Sequence, residues 1–157
     1  MTKTRRLPRI VLASDHGGVA MKADLLGFLS GKGYVVRDLG TDTPDPVDYP
    51  DYGFAAAASI RRGEADRAIL LCKSGIGMAI AANKAKGVRA ALVSTVPDAL
   101  LSRRHNDANV LVLGALEVPP RRARSIVTTW LATPFDGGRH RRRVEKIRRY
   151  EKAHWKE

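Results

Sequence analysis

The chain has one cysteine, and it stands in Ile69-Leu70-Leu71-Cys72-Lys73-Ser74-Gly75-Ile76-Gly77-Met78-Ala79, where an apolar run meets two glycines and then a helix-compatible stretch. Glycines let a chain turn tightly with its N–H groups facing outward, and the helix that follows adds the positive end of its dipole. Such a turn can hold an anion, and a thiol beside it is biased toward the thiolate, a nucleophile or a base. A lone cysteine on an apolar run is equally a small buried side chain, so this segment alone leaves both roles open. Other groups capable of acid–base or anion chemistry also sit just after apolar runs. They are Asp15-His16-Gly17-Gly18, Ser94-Thr95 and, one helical stretch further on, His105-Asn106-Asp107.

Five β-branched and aliphatic runs read as strands: Arg9 to Ser14, Tyr34 to Leu39, Arg67 to Cys72, Val88 to Val93 and Asn109 to Leu113. The first helical pattern carries Val19, Leu25, Leu26 and Leu29 and is stopped by Gly31 and Gly33. Further helices are expected from Asp51 to about Arg62, Gly77 to Lys86, Pro97 to Arg104, Pro119 to Leu131 and His140 to His154. Between Gly40 and Pro50 three prolines break regular structure and mark a functional loop. Apolar strands alternating with helices predict a parallel sheet covered on both faces. The expected fold is therefore α/β, a three-layer α/β/α sandwich with a five-stranded parallel, Rossmann-like sheet and an extended C-terminal helix. Residues 1–157 read as a single domain, with 1–8 as a flexible lead. Crossovers of one hand put all strand carboxyl ends on one edge, where ligands bind. Asp15, His16, Cys72 to Gly77, Ser94, Thr95 and His105 to Asp107 are expected to gather there.

Charge is the compositional anomaly, with 28 Lys and Arg against 16 Asp and Glu in 157 residues, a net charge of +12. Half of it lies in Arg139 to Glu157, where nine basic residues face three acidic ones. This excess favours anionic ligands. Nucleic acid is disfavoured as the partner, since the chain has no zinc-finger spacing, no helix-turn-helix pattern and no interleaved exposed aromatics. No apolar stretch approaches the roughly 20 residues of a membrane span, and no signal peptide is read at the N-terminus. With one cysteine, no internal disulfide can form, and a reducing, cytoplasmic location is expected.

Six segments, in order along the chain, resemble the type B ribose-5-phosphate isomerase family, which also holds allose-6-phosphate and galactose-6-phosphate isomerases. They are Asp15-His16-Gly17-Gly18, Val47-Asp48-Tyr49-Pro50, Cys72 to Gly77 with Ala81-Ala82-Asn83-Lys84, Gly87-Val88-Arg89-Ala90, Ser102 to Asn109, and Gly137-Gly138-Arg139-His140. The resemblance implies an aldose–ketose isomerase acting on a small-molecule sugar phosphate without metal or other cofactor. It also implies a homodimer or homotetramer with active sites at a subunit interface, which the basic helix over 139–157 would join.

Aldose–ketose isomerisation needs a base that takes a proton from the carbon beside a carbonyl and returns it to the neighbouring carbon. Cys72 is the candidate, with N–H groups of Ser74, Gly75, Ile76 and Gly77 suited to hold the negative enediolate. By resemblance, His105, helped by Asp15 or the Ser74 hydroxyl, opens the sugar ring, and Asn106 and Asn83 orient hydroxyls. Tyr49 is a further substrate contact, and His16, Arg139 and Arg143 hold the phosphate. Asn83 as a helix cap and Asp107 as a turn cap are the structural alternatives.

Two positions depart from the family pattern. Leu116 stands where an arginine for the phosphate is usual, and Lys73 replaces the glycine beside the cysteine. Lys73 is therefore expected to project toward the site and partly replace the lost cation or favour the Cys72 thiolate, the alternative being a lysine in solvent. Ribose 5-phosphate to ribulose 5-phosphate is the first reaction expected. Tetrose or hexose phosphates, an unphosphorylated aldose, and a non-catalytic phosphosugar- or nucleic-acid-binding module remain as alternatives.

Overall fold

Alternating aliphatic side chains along the central strands face two different helical layers, and that double burial organises the molecule. The computed structural model describes residues 6–156. Its strands are β1 (Ile10–Ser14), β2 (Val36–Asp38), β3 (Arg67–Cys72), β4 (Ala90–Leu92) and β5 (Val110–Gly114). The helices are α1 (Val19–Gly31), α2 (Tyr49–Arg61), α3 (Ile76–Ala82), α4 (Val96–Asn106), α5 (Pro120–Ala132) and α6 (Gly138–His154), with a 3-10 turn over His16–Gly18. All pairings are parallel, and the strand order is β2-β1-β3-β5-β4. The chain steps out from β3 to β4 and then returns to insert β5 between them.

In β3, Ile69 and Leu71 join a core with Leu25, Leu29, Ile126 and Trp130 beneath α1, α4 and α5. Leu70 and Cys72 point the other way, into a core with Ala56, Ala57, Met78 and Ala82 beneath α2 and α3. The five-stranded parallel sandwich expected from the sequence is the fold observed. Strands β2 and β4, at the two edges, are shorter than the runs that announced them. Each pairs on one side only, so residues beyond the partner's reach leave the ladder. Helix α3 ends at Ala82 rather than Lys86 because Asn83 turns its side chain onto Ala90 and Gly87 reverses the chain at φ +80°.

Residues 1–5 of the expected flexible lead lie outside the described residues; Arg6 to Pro8 line a hollow with Tyr34, Asp66 and Leu131. Among the described residues, no helix is long and apolar enough to cross a membrane.

Candidate active site

Cys72 is the last residue of β3 and is 5% exposed. Its sulfur accepts a hydrogen bond from the Gly75 N–H at 3.0 Å, a short approach for an amide to sulfur. Gly75 makes this possible at φ +79°, a conformation that costs glycine little. The Ile76 N–H donates to Ser74 Oγ at 3.3 Å, so two of the four expected anion-binding amides already have acceptors within the loop. The loop is also tied to the end of β5. Ala115 N–H donates to Cys72 O at 2.8 Å and Leu116 N–H to Lys73 O at 3.0 Å, and a Cβ on Gly114 would stand 2.6 Å from Ser74 O.

Asp15 and His16 leave β1 beside this loop. The Asp15 N–H donates to Leu71 O at 3.2 Å, and its carboxylate accepts from Gly17 N at 2.9 Å, fixing the turn. A Cβ on Gly17 would lie 2.5 Å from Lys73 Cγ, so the Lys73 stem crosses the Asp15–Gly17 turn. His16 Nδ1 accepts from Val47 N–H at 3.1 Å, which in a neutral ring leaves the proton on Nε2. That bond pins the proline loop, whose exit places the Tyr49 ring 2.6 Å from where a Gly77 Cβ would be. The same loop is fastened at its start by the buried Lys22. Its ammonium lies 2.6 and 2.8 Å from the Asp38 carboxylate and 2.7 Å from Asp42. Burial alone would lower the Lys22 pKa; hydrogen bonds to the two carboxylates outweigh it, and the value rises. Lys22 was missed from sequence, though a lone lysine inside an apolar helical pattern was a signal.

The remaining expected residues sit elsewhere. Helix α4 runs antiparallel to the strands, from Thr95 after β4 to Asn106 just before β5, so its last turn lies at the amino edge of the sheet. His105 and Asn106 are therefore separated from Cys72 by the depth of the sheet, roughly 15–20 Å for six residues of strand. The expectation that one edge of one chain collects them is corrected: a helix following a strand returns its end to the opposite edge.

At that amino edge α6 begins. Gly137 (φ +69°) and Gly138 (φ +51°) turn the chain so that the His140 ring stacks on His105, with centroids 4.1 Å apart and planes 10° from parallel. Asp136 accepts from Arg104 Nε at 3.0 and 3.2 Å, and returns its own N–H to Arg104 O at 3.0 Å. The Arg104 hydrogen bond holds the Asp136 carboxyl below its ordinary range. Arg139 and Arg143 are exposed one turn apart on α6. Possible ligand atoms of His105, Asp136 and His140 lie within 4.8 Å of one another. With Arg104 on the carboxylate and Arg139 and Arg143 close enough to depress the His140 pKa, the surroundings suit an anion better than a divalent cation. Sequence reasoning missed His140 because it lies in a run of arginines.

Asn83 ties the end of α3 to β4: its amide donates to Ala90 O and accepts from Ala90 N–H, both at 2.9 Å, in the manner of an added strand residue. Asn106 is exposed, on a hollow formed with Ala90, Tyr150 and Trp155. Exposed apolar side chains border both halves, Ile76, Ile80 and Leu92 on one and Ile147 and Tyr150 on the other.

The sequence model of ribose/galactose isomerases matches residues 10–147. Ribose-5-phosphate isomerase B of Escherichia coli K12 is 41% identical over 141 residues, covering 90% of this chain and 95% of that one. The structure of Clostridium thermocellum ribose-5-phosphate isomerase B superimposes with a TM-score of 0.91 at 46% identity, covering 93% of this chain and 99% of the other. That of Mycoplasma genitalium ribose-5-phosphate isomerase B with bound ribulose 5-phosphate gives 0.88 at 42% identity, covering 92% and 96%. With a family match spanning most of its length and relatives this similar over nearly their whole chains, the protein belongs to the ribose/galactose isomerase family.

Proposed function

We propose that the chain interconverts ribose 5-phosphate and ribulose 5-phosphate through a cis-enediolate, with Cys72 as the base. Family membership makes it a sugar-phosphate isomerase, an aldose–ketose enzyme. The observation that carries the cysteine assignment is the Gly75 N–H aimed at its sulfur at 3.0 Å, since an amide directed at sulfur favours the anion. Cys72 takes the C2 proton of the open-chain aldose and returns it to C1, while a hydroxyl proton moves from O2 to O1. Of the four loop amides, those of Ser74 and Gly77 are left to face the developing oxyanion.

Each site combines two copies of the chain in a homodimer or homotetramer. One copy supplies Cys72, Asp15, His16, Tyr49 and Lys73; the other supplies His105, Asn106, Arg139 and Arg143. The separation of the two halves within one chain, each edged by exposed apolar side chains, supports this arrangement. His105 opens the furanose with Asp15 or Ser74, and Asn106 orients hydroxyls. His16, with Nδ1 occupied by Val47, offers its Nε2 proton to the phosphate beside Arg139 and Arg143. Lys73 adds a cation at the mouth, where Leu116, 77% exposed, supplies none. A cytoplasmic location fits a phosphorylated metabolite and a working thiol.

Leu116 favours a second reading in which a tetrose or hexose phosphate, or an unphosphorylated aldose, is the better substrate. Ketose formation measured across these sugars tests both, with Cys72→Ala as control. The highest kcat/KM on ribose 5-phosphate, lost in Cys72→Ala, is expected. Turnover surviving that substitution would overturn the mechanism, and no turnover together with salt-dependent binding of nucleic acid would identify a binding module.

A further inference from the structure

The imidazole assigned to ring opening is not left to find its own orientation. His105 occupies the last turn of α4, and its ring lies face to face with that of His140 at 4.1 Å and 10°. His140 is 8% exposed, while the cations around it, Arg104, Arg139 and Arg143, reach solvent. Its placement is built: a reciprocal Arg104–Asp136 clasp joins the end of α4 to the approach of α6, and two glycines at positive φ complete the turn.

We propose that His140 is a positioning residue for sugar-ring opening, its buried ring serving as the shelf that holds the His105 imidazole in the orientation needed for proton transfer. This rests on the assignment of ring opening to His105. Two neutral aromatic rings stack favourably, whereas two imidazolium ions at this distance repel. Burial first, and then His105, Arg139 and Arg143, lower the His140 pKa, opposed by Asp136, so His140 stays neutral at neutral pH. The pair thus sets the His105 ring against a neutral shelf. Proton transfer demands hydrogen-bond reach and alignment, and a misplacement of about 1 Å can cost on the order of a hundredfold.

Ring opening can be read apart from isomerisation. In a Cys72→Ala background the enediolate does not form, and ring opening appears as exchange between the α- and β-furanose anomers of ribose 5-phosphate, followed by NMR. Adding His140→Ala is expected to slow enzyme-dependent exchange by about tenfold or more, and His140→Phe, which keeps a flat neutral ring, to restore most of it. Melting temperatures check that each variant folds. Equal loss in the two His140 variants, with both folded, overturns the shelf because ring nitrogen and not the ring face is then required. Full exchange in His140→Ala, alongside its loss in His105→Ala, overturns this inference and leaves the ring-opening assignment standing. Exchange that survives His105→Ala, or no exchange above buffer with Cys72→Ala alone, removes the assignment itself and the inference with it.

Discussion

Gly75 holds its N–H 3.0 Å from the Cys72 sulfur, and it does so from a backbone conformation, φ +79°, that a side chain resists. A Cβ there would also meet Leu92 Cδ1 at 2.5 Å and Gly114 N at 3.2 Å. Gly75→Ala is therefore expected to cost about 1–3 kcal/mol of stability and to remove most activity as the amide swings from the sulfur. Urea unfolding and kcat/KM together check this. A variant of unchanged stability and rate would show that the loop conformation is immaterial.

Lys22 fastens the loop that carries Tyr49, through Asp38 and Asp42. Lys22→Met leaves those carboxylates without their cation. Because Asp42 is 83% exposed and Asp38 31%, water recovers part of the loss, and a destabilisation of about 1–2 kcal/mol is expected. KM rises more than kcat falls, since the loop contributes a wall and not the base. Steady-state kinetics beside a thermal melt separates the two effects.

Lys73 lies across the Asp15–Gly17 turn beside the cysteine. Lys73→Ala is expected to raise KM for ribose 5-phosphate about fivefold or more and to slow alkylation of Cys72 by iodoacetamide. Equal substrate affinity and equal alkylation would mean that the ammonium points to solvent.

Asp66 and His140 each shape the acid side of the stability profile. Asp66, held down to about 2 by hydrogen bonds from Arg9, ties the start of β1 to the start of β3. Its contribution is fully present above the ordinary Asp value of about 4 and disappears as pH falls through about 2. His140 acts higher. Its folded pKa lies below the ordinary histidine value, so the unfolded chain binds the proton more readily, and stability declines as pH drops below about 6.5. Denaturation midpoints against pH are expected to show Asp66→Asn losing its disadvantage only in strong acid, and His140→Phe gaining on the unsubstituted chain between neutrality and pH of about 5.5.

The strands were legible because Ile69 to Cys72 and Val110 to Leu113 carry the near-continuous apolar pattern that burial on two faces requires. Their order was not, since nothing local tells β5 to enter between β3 and β4. The cysteine loop was legible from two glycines after an apolar run. The distance of His105 from it was not read, although it follows from the direction of α4. Asn83 left two roles open because an amide suited to a sugar hydroxyl is equally suited to a strand edge. His140 was hidden among arginines, yet Asp136-Gly137-Gly138 before it already described a turn with a purpose.

The central claim is that Cys72 of one copy works with His105 of another. Cys72→Ala and His105→Ala chains, each inactive alone, would be mixed, dissociated and reassociated, and assayed on ribose 5-phosphate. In a randomly reassorted dimer half the assemblies are mixed and each carries one intact site, so recovery to about a quarter of the unsubstituted activity is predicted. No recovery from mixtures shown to contain hybrid assemblies would contradict it.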